Sequence, residues 1–431
     1  MSYNKFSENI LQNIQGLSAG SFNSSGMSGG VNVNTPASFH IGMAEDFDIA
    51  TINATYRGYL GGIFDGRYIY MCPGYNTDYH GLFTRYDTTA SFTTAGSYAT
   101  YDLATNVNSK CKGYVCGCFD GRYIYIIPNY NATDKYHGVI IRYDTTASFT
   151  TAGSYTIYDI AANVDSRCKG FNGVCFDGRY IYIVPYTNDG IAYSGVIVKY
   201  DTTASFTTPG SYSFFDLATI NASYVGYAGA IFDGTHIYLA PYTTAASTFS
   251  GTIIRYDTRL SFTSAASYSA FDLTTINIGA KGYYNLAFDG SNIYITPWSN
   301  TVRHGLFVKY NINSDFTSVT SYKIYDITNV NAGAKGYIGA IFDGNYVYLI
   351  PYHNGTAVFG LTIRYNINKD VNISTSYETL DLASLNAGDI GFLSACHDGQ
   401  YLYFIPYSNS SGASGRIVRI RTSLYNRFKR K

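Results

Sequence analysis

An all-β fold, built as a closed ring of seven small antiparallel sheets, is what this sequence predicts, and three observations carry the prediction. The first is repetition. An Asp-Gly pair recurs at Asp65-Gly66, Asp120-Gly121, Asp177-Gly178, Asp233-Gly234, Asp289-Gly290, Asp343-Gly344 and Asp398-Gly399, with the glycines 55, 57, 56, 56, 54 and 55 residues apart. Each pair follows a Phe or His, and a Tyr stands four residues after each Gly. The second is composition: 46 Tyr, 26 Phe and 43 Gly, with only 13% of residues charged, favour strands and turns. The third is phase. The last copy reaches a third strand, Arg416 to Ile420, with no fourth, while Phe47 to Asn53 near the start matches Phe215 to Asn221 of a complete copy. A fixed period overrides the two or three domains that 431 residues would otherwise suggest.

Within one unit, taken at the fourth copy, Gly226 to Phe232 reads as a short strand of small residues. Asp233-Gly234 makes a tight hairpin turn, since Gly accepts the positive φ such turns need. His236 to Ala240 alternates large residues as a second strand, and Pro241 ends it because Pro cannot donate to a sheet ladder. Seven of the nine prolines (73, 128, 185, 241, 297, 351 and 406) stand at this one place. A variable loop leads to Gly251 and a third strand, Thr252 to Tyr256. The turn at Asp257-Thr258 then leads through Phe262 to a fourth strand, Tyr268 to Leu273. Four antiparallel strands per repeat, with a first strand poor in bulk, describe the blades of a β-propeller, whose innermost strands crowd a central channel. The N-terminal strand is expected to complete the seventh blade and close the ring, which removes open edges. The propeller is placed at residues 38–422, with an N-terminal tether at 1–37 and a basic tail at 423–431.

The tether has a short amphipathic start, with Phe6, Ile10 and Ile14 on one face, and then a Gly/Ser/Asn-rich linker from Ser18 to Thr35. Its Gly26-Met27-Ser28-Gly29-Gly30 matches a nucleophile-elbow pattern without the flanking strand and helix that the chemistry needs. Net charge is zero, but Arg416, Arg419, Arg421, Arg427, Lys429, Arg430 and Lys431 concentrate seven positive charges at the end, leaving the rest at −7. No apolar run is long enough for a membrane span, and no secretory signal is seen. The seven cysteines do not fall in paired metal-ligand spacing; Cys118, Cys175 and Cys396 replace Ile63, Ile231 and Ile341 of other copies and read as small core residues.

The hairpin Phe64-Asp65-Gly66-Arg67-Tyr68-Ile69-Tyr70 resembles the first hairpin of NHL- and kelch-type propeller blades, without the Gly-Gly and Trp pattern of kelch or the Trp-Asp of WD repeats. Tyr-rich, weakly charged repeats of this kind are also similar to viral or phage surface propellers. That resemblance implies a virion-surface or extracellular setting, with residues 1–37 and the basic tail joined to other virion or surface proteins.

Recognition is expected on the face formed by the loops between strands two and three and by those entering each blade, because there the copies differ. On the opposite face, Asp87 to Tyr98 recurs unchanged as Asp144 to Tyr155. Arg57, Lys112, Lys169, Lys281 and Lys335 precede the Gly at the entry to an inner strand, with Val225 and Ile390 interrupting the set. An aromatic follows that Gly, as at Tyr59, Tyr114, Tyr283 and Tyr337. The variable loops add Tyr79, His80, Tyr136, His137, Trp298 and His304. Cations near one channel mouth suit a carboxylate, sulfate or phosphate, and aromatic rings suit stacking on sugars. These residues are the candidate ligand set; a metal, a cofactor and nucleic acid are not expected. A second basic series, Arg85, Arg142, Lys199, Arg255, Lys309, Arg364 and Arg419, lies mid-strand beside blade aspartates such as Asp102 and reads as scaffold. With only Glu8, Glu45 and Glu378 as glutamates, paired catalytic carboxylates must come from repeated Asp residues that read as turn formers. The expected function is a non-catalytic surface propeller binding a host glycan or receptor; the alternatives are a purely structural virion assembly protein and a propeller glycan hydrolase or lyase.

Overall fold

The computed structural model describes residues 39–422; the tether at 1–37 and the tail at 423–431 lie outside the described residues. The chain forms seven four-stranded antiparallel sheets. In the first blade the strands run Tyr59–Phe64, Tyr68–Pro73, Leu82–Asp87 and Tyr98–Asp102, ordered from the channel outward. The next five blades repeat that order, and their inner strands begin at Tyr114, Phe171, Tyr227, Tyr283 and Tyr337. The seventh takes Phe392–His397, Tyr401–Pro406 and Arg416–Arg421 from the C-terminal end and Ala44–Asp48 from the N-terminal end. The register of that closing pair runs from Ala44 opposite Ile420 to Asp48 opposite Arg416. Each inner strand packs on its neighbour around the ring, and the seventh packs on the first.

The repeated Asp-Gly-x-x-x-Tyr is a hydrogen-bonding device. In all seven copies the Asp Oδ1 accepts from the backbone N–H groups two and three residues on, as with Arg67 and Tyr68 on Asp65 at 2.8 and 2.7 Å. The Oδ2 accepts from the Tyr hydroxyl five residues on, at 2.6–2.9 Å in every copy. That bond ties each hairpin to a Tyr whose ring is buried between blades. Gly66 follows with φ +102°, and a Cβ there would meet nothing within 4 Å, so backbone conformation rather than space selects Gly. Gly61 is the opposite case: its Cβ would lie 2.8 Å from Cys116 Cα of the next inner strand. A second repeated Asp ends every outer strand, and its Oδ1 caps the helical turn that follows at 2.9–3.1 Å (Asp48, Asp102, Asp159, Asp216, Asp272, Asp326 and Asp381).

The mid-strand cations are scaffold, held by aromatic rings rather than by the aspartates the sequence places near them. Arg85 lies 4.1 Å from the Tyr68 ring of its own blade and 4.3 Å from Phe149 of the next. Arg142, Lys199, Arg364 and Arg419 are likewise held between two rings. Asp102 and Asp216 are engaged as caps instead. Glu45 and Glu378, equivalent on two outer strands, each pair at 2.8 Å with the mid-strand arginine, Arg419 and Arg364. Side chains reach across between inner strands: Tyr284 donates to Asn172 Oδ1 across blades five and three at 3.1 Å, and a void of about 10 Å³ lies beside Asn285, Gly339 and Ser394. All seven cysteines are buried free thiols.

Candidate recognition face

The two faces of the ring differ in how their charges are satisfied. At the Asp-Gly turns, Arg67, Arg122 and Arg179 each meet an Asp of their own blade at 2.7 Å. On the loop face, Arg57, Lys112, Lys169, Lys281 and Lys335 stand one per blade at the rim, and none has a carboxylate within 4 Å among the described residues.

The aromatic residues following the entry glycines lie deeper. Tyr59, Tyr114, Tyr283 and Tyr337 are fully buried, so they support the rim from inside the blade. His80, His137 and His304 are buried as well and brace two loops together. Their Nε2 atoms meet the carbonyls of Arg57, Lys112 and Lys281 at 3.0 Å. Their rings stand edge-on to Tyr59, Tyr114 and Tyr283. In His80 and His304 the Nδ1 accepts from a backbone N–H at 3.2 Å, which leaves Nε2 as the donor to the carbonyl and the ring neutral. Burial lowers all three to about 4. His304→Ala leaves the Lys281 carbonyl and the Leu306 amide unpaired, and is expected to cost about 1–3 kcal/mol in urea unfolding at pH 7.

At the channel mouth stands a crown of aromatics, four partly exposed tyrosines and the buried Trp298, of which the sequence singled out only Trp298. The residue after each strand-ending Pro is Gly74, Asn129, Tyr186, Tyr242, Trp298, Tyr352 and Tyr407 in chain order. The five aromatic members are consecutive around the ring. Tyr186 stacks on Tyr242 at 5.9 Å, Trp298 on Tyr352 at 5.5 Å, and Tyr352 meets Tyr407 edge-on at 5.8 Å. Tyr284 fills the step between Tyr242 and Trp298, at 5.4 and 6.2 Å. The tyrosines are half-buried and keep an edge in solvent. At Gly74 and Asn129 the crown is interrupted, and Tyr75, Tyr79, Tyr130 and Tyr136 form a second cluster with centroids 4.9–5.1 Å apart. The constant Pro register is the signal that exposes this set in the sequence.

Backbone strain is confined to the same loops. The three non-glycine residues with positive φ among those described are Lys135 at 62°, Ser247 at 61° and Thr301 at 105°, all between second and third strands. A β-branched residue at such a φ persists only where its surroundings hold it there. Thr301 borders an open cavity of about 660 Å³ between blades five and six, lined also by Ser299, Val302, Arg303, Lys335 and His353.

One carboxylate is anomalous. Asp389 occupies the position that is Ala280 and Ala334 in other blades, its side chain is fully enclosed, and neither oxygen has a hydrogen-bond partner. Burial first, then the charge of Asp46, raises it to about 8. Arg416, 3.8 Å away, also contacts Asp46 and lies 4.0 Å from Asp48. This group sits at the seam where the closing strand joins the seventh blade, enclosed away from solvent. Among the described residues no group of three or more His, Cys, Asp or Glu could hold a metal ion, and no helix is long and apolar enough to cross a membrane.

The fold and this face define a seven-bladed β-propeller with an aromatic, cationic loop side. No protein family matches the sequence, and no curated protein does. Among solved structures, the chain is similar to PorZ, an essential bacterial surface component of the type-IX secretion system of Porphyromonas gingivalis. That match has a TM-score of 0.46 at 9% identity and covers 81% of this chain and 35% of that one, so this chain spans about a third of its length. It is also similar to the computationally designed Ika8 protein (TM-score 0.47, 10% identity, 85% of this chain and 96% of that one). A third likeness is to BamB from Moraxella catarrhalis (TM-score 0.42, 11% identity, 84% of each chain).

Proposed function

We propose that this chain is a non-catalytic surface propeller of a virion or phage tail that binds a host glycan or receptor through its loop face, with residues 1–37 as the tether. The observation that supports it best is the crown of post-proline aromatics, five consecutive blades long, with four half-exposed tyrosines around the buried Trp298, on the face where the loops diverge. A rigid frame spends nothing on ordering these rings, and each offers an apolar surface beside polar loop groups. The unpaired rim cations favour ligands that carry negative charge. A glycan array probed with the full chain should give signals above background that fall in Tyr242→Ser and Tyr352→Ser. An array without signals, acidic sugars included, overturns the proposal.

A further inference from the structure

We infer that the cavity between blades five and six is a subsite for a carboxylate-bearing sugar residue. The inference rests on the glycan-binding reading above and assigns one ligand class to one place.

Three bases and no acid line this cavity: Arg303, Lys335 and His353 stand with Ser299, Thr301 and Asn354. Its volume of about 660 Å³ falls in the range of small-ligand sites. Arg303 is set in place before any ligand arrives. Its guanidinium lies 3.4 Å from the Trp298 ring centroid, Trp298 stacks in turn on Tyr352, and its side chain passes close over Gly336 and Gly355. No carboxylate of the chain lies within ion-pair distance of Arg303 or Lys335 among the described residues. A stacked, unpaired guanidinium offers a planar fork that matches the two oxygens of a carboxylate, and Lys335 adds a second positive charge.

The neutral groups are also turned into donors. His353 Nδ1 accepts from the Gly355 amide at 3.0 Å, which places the ring proton on Nε2. Burial, then the neighbouring Arg303, lowers His353 from its ordinary value and favours the neutral ring at pH 7. Asn354 Oδ1 is occupied by the Thr356 and Ala357 amides at 3.0 Å, leaving its NH₂ group as donor. The site therefore offers charged and neutral donors and no carboxylate, as an anion requires. Val302, 68% exposed at the rim, adds an apolar surface for sugar C–H groups.

The test is calorimetric titration of the full chain at pH 7 with trigalacturonate, with its uncharged methyl ester, with a sulfated galactose and with inorganic phosphate. The acid is expected to bind at least about tenfold more tightly than its ester. Arg303→Lys and Lys335→Ala should each weaken the acid by about tenfold while leaving the ester unchanged. Lys335 is half-exposed, so its variant keeps the question open to measurement if the Arg303 change disturbs the loop. Equal binding of acid and ester overturns the assignment, as does tighter binding of the sulfated sugar or of phosphate alone. Unchanged acid binding in both variants also overturns it. If array glycans bind but this acid does not, the subsite falls and the surface-recognition reading stands; if no glycan binds anywhere, that reading itself has failed.

Discussion

Asp389→Ala is expected to make the protein more stable, most of all at alkaline pH. In the native ring this carboxyl is enclosed without hydrogen bonds, faces Asp46 and Asp48, and shares a single arginine with them. Its folded value of about 8 lies above the ordinary 3.8, so between those limits the native state holds a proton that the unfolded chain has released. Stability linked to this group is complete below pH 4 and is lost as pH rises toward 8. Each pH unit of such a shift corresponds to about 1.4 kcal/mol, and allowing for relaxation around the site the penalty at pH 8 is on the order of 2–4 kcal/mol. Ala280 and Ala334 show that the same turn accepts a methyl group without charge. Urea unfolding from pH 4 to 9 should show the variant gaining most at the alkaline end. The buried His80, His137 and His304 act in the opposite sense: their lowered values mean stability present above pH 6.5 and lost toward pH 4. With Asp389 removed, the histidines should leave a profile that rises from pH 4 to neutrality. A variant no more stable than the parent at pH 8 would show that the carboxyl is not confined as described.

Asp343→Ala is expected to be the most damaging change within the repeated hairpin, at about 3–5 kcal/mol. Asp343 is 3% exposed; its Oδ1 accepts from Asn345 and Tyr346 amides at 2.9 and 2.8 Å, and its Oδ2 from Tyr348 at 2.9 Å. Removing the carboxylate leaves three donors unpaired, one of them a fully buried phenol. Tyr348 also receives a bond from Arg364, which pairs with Glu378, so the loss reaches the outer strand. Asp65→Ala removes the same three bonds at a half-exposed copy, where water replaces part of them, and should cost about 1–2 kcal/mol. Both changes remove the same three bonds, so the difference between the two midpoints measures the burial of the carboxylate; equal costs would mean that burying Asp343 adds nothing to the motif.

Much of the fold was legible because its determinants are local. Asp-Gly turns, strand-ending prolines and alternating residues report short-range constraints, and their period counts the blades. Ring closure was legible too, since a strand missing at one end and surplus at the other has one economical solution. The site was legible only as a face. Loop divergence singled out one side of each blade as the variable one, but side-chain depth did not follow from register. Tyr59, Tyr114, Tyr283 and Tyr337, set beside the entry cations in sequence, turn into the blade because the small inner strands leave room for their rings there. His80, His137 and His304 look like variable loop residues and prove to be loop braces, since each ring is consumed by a carbonyl two dozen residues earlier.

By itself, then, the sequence determined the number of blades, the order of their strands and the exchange that closes the ring, because each depends on residues adjacent in the chain. Only the tertiary structure decided which charges find partners. Arg67 meets Asp87 within its blade, whereas Arg303 lies on Trp298 with no acid in reach, and no spacing rule separates the two. It also decided that Asp389, at a position held by Tyr, Cys or Ala in the other six blades, faces two more carboxylates across the closing seam. Such pairings join residues up to 374 positions apart, and they exist only once packing has brought the two ends of the chain into one blade.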